Sequence, residues 1–142
     1  MPHYYVDTNV VIDILEAPEV LSTDQNAFVT GVESGRIKAL TSELTLAECL
    51  VKPFGDEDTD AVNAYLMFLD NRRNFPVLAV TRDILIEAAR VRAKLRCPLP
   101  DALHLATALS AGCDVLLTND KRLKPVAPVR IALWSTFSVA TP

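Results

Sequence analysis

Cysteine is scarce in these 142 residues, occurring only at Cys49, Cys97 and Cys113. The three are odd in number, far apart and without C-x-x-C spacing. Neither a disulfide framework nor a thiolate zinc site is indicated, and thiols in a reducing compartment are the simpler reading. Histidine is scarcer still, at His3 and His104, which leaves little for a mechanism built on a histidine pair. No apolar run reaches the ~18 residues of a membrane span. The N-terminus has no basic segment leading into an apolar stretch, so no signal peptide is expected. These absences predict a cytoplasmic chain with no membrane partner. Internal repeats and low-complexity segments are missing too.

What is present is hydrophobic: half of the residues, which excludes disorder. The length predicts one domain over residues 1–142, with its core over about 4–133. Such a chain buries roughly 68–70% of its unfolded surface. The net charge of −4 gives no chain-wide attraction for nucleic acid. Its distribution is uneven. Residues 1–71 carry 13 Asp and Glu against 3 Lys and Arg, and residues 72–142 carry 5 against 11. A local basic surface is compatible with that asymmetry, and so are two oppositely charged solvated faces.

Strand and helix patterns alternate. A strand over about 3–7 runs into a helix over 8–16, which Pro18 stops. Ser22 or Thr23 caps a second helix, with Ala27, Phe28 and Val32 on one side and Gly35 at its end. Ile37–Leu40 reads as a second strand. A third helix spans about Glu43 to Lys52, ended by Pro53 and Gly55, and the acidic stretch after it makes residues 53–60 the longest candidate mobile loop. Val62, Tyr65, Leu66 and Leu69 fall at helical spacing in a fourth helix. Val77–Val80 is a third strand. A fifth helix follows Asp83, with Ile84, Leu85, Ala88 and Val91 inward and Arg90, Arg92, Lys94 and Arg96 outward. A sixth starts at Asp101, carries Ala102, Leu105, Ala106 and Leu109, and ends at Gly112. Val115–Leu117 reads as a strand buried on both faces, Val129–Leu133 as a fifth strand, and the tail from Ser135 as mobile. Five strands separated by helices predict a three-layer α/β/α fold with a mainly parallel five-stranded sheet.

Acids stand where this pattern brings ligand sites. Asp7 and Asp120 each follow an apolar strand directly, and strand carboxyl ends share one edge of a parallel sheet. Each also has a plain structural role available: Asp7 before a helix, Asp120 before a turn, Asp101 at a helix start. Thr45 and Glu48 match a capping box. With Ser42 as the cap, however, Glu48 falls within the helix among Leu46, Ala47 and Leu50 and needs a partner. Converging carboxylates repel, by about 4 kcal/mol per pair at ~4 Å and an effective dielectric near 20. Raised carboxyl pKa values or a cation relieve this. Oxygen ligands suit Mg²⁺ or Mn²⁺, and such an ion activates water and stabilises charge on a phosphodiester.

Four segments recur together in one family: Val6-Asp7-Thr8-Asn9, Leu44 to Glu48, Pro100 to Ala108 and Leu116 to Asp120. Across roughly residues 4–133 the chain resembles PIN domains, and in particular the VapC-type toxins of toxin–antitoxin pairs. Each motif alone is weak, but four in register on a matching strand–helix pattern are specific. The resemblance implies a 3-2-1-4-5 parallel sheet and a Mg²⁺- or Mn²⁺-dependent endoribonuclease leaving 5′-phosphate and 3′-hydroxyl ends. It implies Asp7, Glu48, Asp101 and Asp120 as the catalytic, metal-binding acids. It further implies an RNA substrate, a small cognate antitoxin and a homodimer. Thr8, Thr118 and Asn119 match polar positions near the family's site, where they orient carboxylates or waters. Cap and turn roles compete for each.

His104, one helical turn after Asp101, weighs toward a packed, hydrogen-bonded histidine over a catalytic one. Lys121 and Arg122, next to Asp120, are the cations best placed for RNA phosphates. Leu46, Leu50, Tyr65 and Phe68 mark a partner surface or, equally, core. Three alternatives stand beside the toxin: a PIN-domain nuclease of RNA processing, a phosphohydrolase with Asp7 as nucleophile, and a catalytically silent module of the same fold. The second lacks another acid two residues after Asp7.

Overall fold

The computed structural model describes residues 1–139. Five parallel strands form one sheet: β1 (His3–Val6), β2 (Lys38–Ser42), β3 (Val77–Leu78), β4 (Val115–Thr118) and β5 (Arg130–Leu133). Their order is β3-β2-β1-β4-β5, which makes the fold class and strand order those expected. The register pairs Tyr5 with Leu40 on one side of β1 and with Leu116 on the other. The connections leave the central strand in opposite directions, so the β1–β4 border is the switch point at which α/β sheets bind ligands.

Helices cover both faces: α1 (Thr8–Glu16), α2 (Thr23–Glu33), α3 (Glu43–Gly55), α4 (Thr59–Phe68), α5 (Arg82–Leu95) and α6 (Leu99–Ser110). Alternation along β1 feeds both cores. Tyr4 and Val6 pack with Val10, Val11, Phe28, Cys49 and Tyr65 of α1–α4. Tyr5 packs with Ile84, Ala88, Val91, Ala102 and Leu105 of α5 and α6. The ends of the helices follow local chemistry. Ser22 and Gln25 form a reciprocal capping box on α2. Gly35 and Gly112 adopt φ of 81° and 72° after α2 and α6, a backbone region that favours glycine.

Several boundaries differ from expectation. Helix α3 runs through Pro53 to Gly55, because its last turn is held by Asp56 N–H donating to the Lys52 carbonyl and by the Lys52–Asp56 ion pair. The acidic stretch is therefore a short turn rather than a mobile loop, with Asp58 capping α4 through the Ala61 N–H. Strand β3 stops at Leu78, since its partner Ser42 leaves the sheet to cap α3. Helix α6 begins at Leu99, two residues before Asp101, because proline is tolerated in a first turn whose N–H groups are free anyway.

Two residues at apolar helical spacing, of which Leu85 is the one expected inward, face outward. Leu66 and Leu85 are 44% and 49% exposed, lying off the buried stripes that Tyr65 and Ile84 mark. The tail assigned as mobile from Ser135 instead continues as a 3-10 turn, Trp134–Thr136, and buries Phe137. Phe137 packs edge-on to Phe28, centroids 5.2 Å apart, and beside Tyr4 and Trp134. Residues 140–142 of that tail lie outside the described residues. Among the described residues no helix is long and apolar enough to cross a membrane.

Candidate active site

The site lies at the carboxyl ends of β1 and β4. Pairing of Val6 with Leu117, continued by the Asp7 N–H donating to the Leu117 carbonyl, sets Asp7 beside Thr118. Asp7 is also the N-cap of α1, its Oδ1 accepting from the Thr8 N–H at 2.8 Å. The capping role and a site role therefore fall on the same side chain. Its other oxygen accepts from the Thr118 hydroxyl at 2.6 Å and the Asn9 amide at 3.2 Å. The Thr118 hydroxyl in turn accepts the Asp120 N–H at 3.0 Å, tying the two acids' strands together.

Glu48 reaches the same place from α3. Ser42 caps that helix, so Thr45 and Glu48 form no capping box. Glu48 Oε1 accepts from the Thr8 hydroxyl at 2.6 Å and from His104 Nε2 at 2.7 Å. Burial pushes the Glu48 carboxyl up, but the hydrogen bonds from His104 and Thr8 and the pull of the imidazole outweigh it. The carboxyl is held below its usual range.

His104 is 3% exposed. Its Nδ1 meets the Tyr5 hydroxyl at 2.5 Å. Burial, with the Asp7 charge behind it, pushes the Tyr5 phenol far up, so Tyr5 remains a donor. The hydrogen-bond pattern then places the imidazole proton on Nε2, facing Glu48. His104 Nε2 also lies 3.6 Å from Asp7 Oδ1. The packed reading of His104 is what the structure shows, but the packing ends on a site carboxylate.

Asp101 sits in the first turn of α6. Burial raises its carboxyl, and the charges of Asp120, Asp7 and, more weakly, Glu48 raise it further against the pull of His104. The four acids thus share one electrostatic field. Asp120 also binds its own turn, accepting from the Arg122 N–H at 2.9 Å and Nε at 3.3 Å. Among the described residues no group of three His, Cys, Asp or Glu side chains is drawn together closely enough to hold a metal ion. The oxygen donors and the mutual repulsion recorded at Asp101 nevertheless match what a hard divalent cation requires.

The remaining candidates divide. Thr8 and Thr118 bond directly to Glu48 and Asp7. Asn119 does not: its backbone N–H donates to Asn9 Oδ1 and its amide to Asp13. It acts on Asp7 only through Asn9, a residue that sequence reasoning passed over although it stands two positions after Asp7. Tyr5 was equally unmarked, because an aromatic in an apolar strand gives no signal of its partner. Lys121 and Arg122 are exposed.

A family model for the PIN domain matches residues 4–128. The chain belongs to the PIN domain family. No curated protein sequence matches it significantly. Among solved structures, this PIN domain is similar to a toxin–antitoxin complex from Klebsiella pneumoniae. The identity is 20% and the TM-score 0.69, over 96% of this chain and 99% of the other. It is similar to VapBC2 from Rickettsia felis bound to a promoter DNA fragment, at 16% identity and a TM-score of 0.72, covering 92% and 98%. DNA-bound VapBC from Salmonella typhimurium aligns at 22% identity and a TM-score of 0.67, covering 94% and 99%. At these identities the likeness is one of fold.

Proposed function

We propose that this PIN domain is a metal-dependent endoribonuclease and the toxin of a VapBC-type pair. The observation that carries the reading is the placement of Asp7, Glu48, Asp101 and Asp120 around one end of the sheet, where burial first, and then the charges of the other three acids, raise Asp101. These four carboxylates would hold Mg²⁺ or Mn²⁺. When bound, the ion supplies a water activated near neutral pH and positive charge opposite the phosphodiester. The chain's own contribution is orientation. Thr118 and Asn9 fix one oxygen of Asp7. Thr8 and His104 converge on one oxygen of Glu48 and keep it ionised. Lys121 and Arg122 stand next to Asp120, ready for RNA phosphates.

The partner reading rests on the similar structures, which are toxin–antitoxin complexes, and on α3 and α4. There Tyr65 is buried and Leu46, Leu50 and Phe68 are half-buried against the core. The free apolar surface is instead Val51, Phe54, Leu66 and Met67. A small antitoxin covering that surface fits, as does a homodimer of the toxin.

One observation favours a second reading, a catalytically silent module: among the described residues no three ligating side chains are gathered as a ready-made cage. Product analysis separates the two. Incubation of a mixed RNA pool with Mn²⁺, the protein freed of any partner, should yield fragments with 5′-phosphate ends, and chelator should abolish them. Fragments with 2′,3′-cyclic ends would contradict the metal mechanism, and an intact pool would favour the silent module.

A further inference from the structure

A cleft lies between the end of α5, the start of α6 and the turn after β4, and two of the four acids reach it. Asp101 and Asp120 form part of its wall, and Arg96, Arg122 and Lys124 stand in the same wall. All three cations are exposed. Arg122 lies 3.3 Å from Asp120, and Arg96 and Lys124 have no ion pair among the described residues.

Two backbone features accompany these cations. Arg96 closes α5 in the left-handed region, at φ 54° and ψ 36°. Glycine is the usual residue there, because a Cβ crowds the neighbouring carbonyl. A cation therefore occupies a strained position in the same wall as Asp101 and Asp120. Beside it, Pro98 is the N-cap of α6, with no side chain capping the first-turn N–H groups, and Pro98 lines the same cleft. A helix N-terminus carries partial positive charge and favours anions.

We infer that this cleft holds an RNA backbone phosphate adjacent to the one being cleaved. The carboxylates meet the scissile phosphodiester, and Arg96, Arg122 and Lys124 take its neighbour. The inference rests on the ribonuclease reading and adds a second anchor to it. Because the contact is to phosphate, it is tolerant of base identity. Arg122 exchanges its Asp120 partner for the phosphate when RNA enters.

The test is binding of a fluorescein-labelled ten-residue oligouridylate, by anisotropy, in chelator so that no cleavage occurs. Arg96→Gly combined with Lys124→Ala removes two charges while relieving the left-handed strain at residue 96. Arg36→Ala, just before β2 at the opposite end of the sheet, is the control. In the double variant, affinity should fall about fivefold or more at low salt. The slope of log affinity against log salt should become shallower by about 1.4, or ~0.7 per contact. The control should match wild type. An unchanged slope in the double variant overturns the subsite, and so does an equal loss in the control. Wild-type cleavage of an RNA pool with Mn²⁺ is measured in parallel. Cleavage with an unchanged slope removes the subsite and leaves the ribonuclease. A shallower slope without cleavage upholds the anion cleft and removes the ribonuclease.

Discussion

His104 joins the packing of the protein to its chemistry. It connects a buried phenol to a site carboxylate, using both ring nitrogens. His104→Ala removes the acceptor of the buried Tyr5 hydroxyl and takes a donor from Glu48. A stability loss of about 2 kcal/mol in urea titration is expected. Residues that orient metal ligands typically change activity by roughly 10- to 100-fold when lost, and kcat should fall within that range with KM little changed. His104→Gln, which returns an N–H toward Glu48, should recover part of kcat without recovering all of the stability. If kcat follows stability alone through both variants, His104 is only core. Asp101 gives a prediction of opposite sign. Its carboxyl is raised in the folded chain, so the folded state binds that proton more tightly than the unfolded one. The resulting stability is full below the ordinary aspartate range and is lost as pH rises through the raised value. At neutral pH the ionised group is a net cost. Asp101→Asn should raise the melting temperature in chelator by about 1–3 °C at pH 7, and the gain should shrink toward pH 4. A lower melting temperature at pH 7 would show that the carboxylate is not under repulsion. Glu48, held low, has the reverse dependence: its contribution is present at neutral pH and is lost as pH falls through its depressed value.

The elements explain why some of this was readable in the sequence and some was not. Asp7 and Asp120 were legible because a parallel sheet places strand ends together, and the β1–β4 register does so here. Glu48 was legible once Ser42 was weighed as the α3 cap. The Tyr5–His104 contact joins residues 99 positions apart, and no local pattern encodes such a distance. The tail failed for a related reason. Trp134 and Phe137 look like the end of a chain until Tyr4 and Phe28 are seen beneath them. Their packing makes the segment after β5 part of the α1–α4 core. Phe137→Ala should therefore cost about 3 kcal/mol in denaturant titration. A change below 0.5 kcal/mol would return that segment to the surface. Helix α3 shows the limit of a local stop signal. Pro53 removes one N–H, yet backbone bonds on either side keep the helix for two more residues.

Taken whole, the molecule separates its tasks by place. The α1–α4 layer holds an aromatic core and turns Val51, Phe54 and Met67 outward. The α5–α6 layer carries Arg96 and Asp101 to the rim of the acid cluster. Of the cations in the second half, Arg96, Arg122 and Lys124 stand in one cleft wall with Asp101 and Asp120. The central claim is that the acids act together through a divalent ion. Its most direct test is the rate of Mn²⁺-dependent cleavage of a mixed RNA pool by wild type and by Asp7→Asn, each with and without chelator. Asp7 is tied to Thr118 and Asn9 and is close to His104, and the variant keeps its size. Cleavage should be present in wild type with Mn²⁺, absent in chelator, and reduced at least 100-fold in Asp7→Asn. Cleavage that persists in chelator and in the variant would contradict the account.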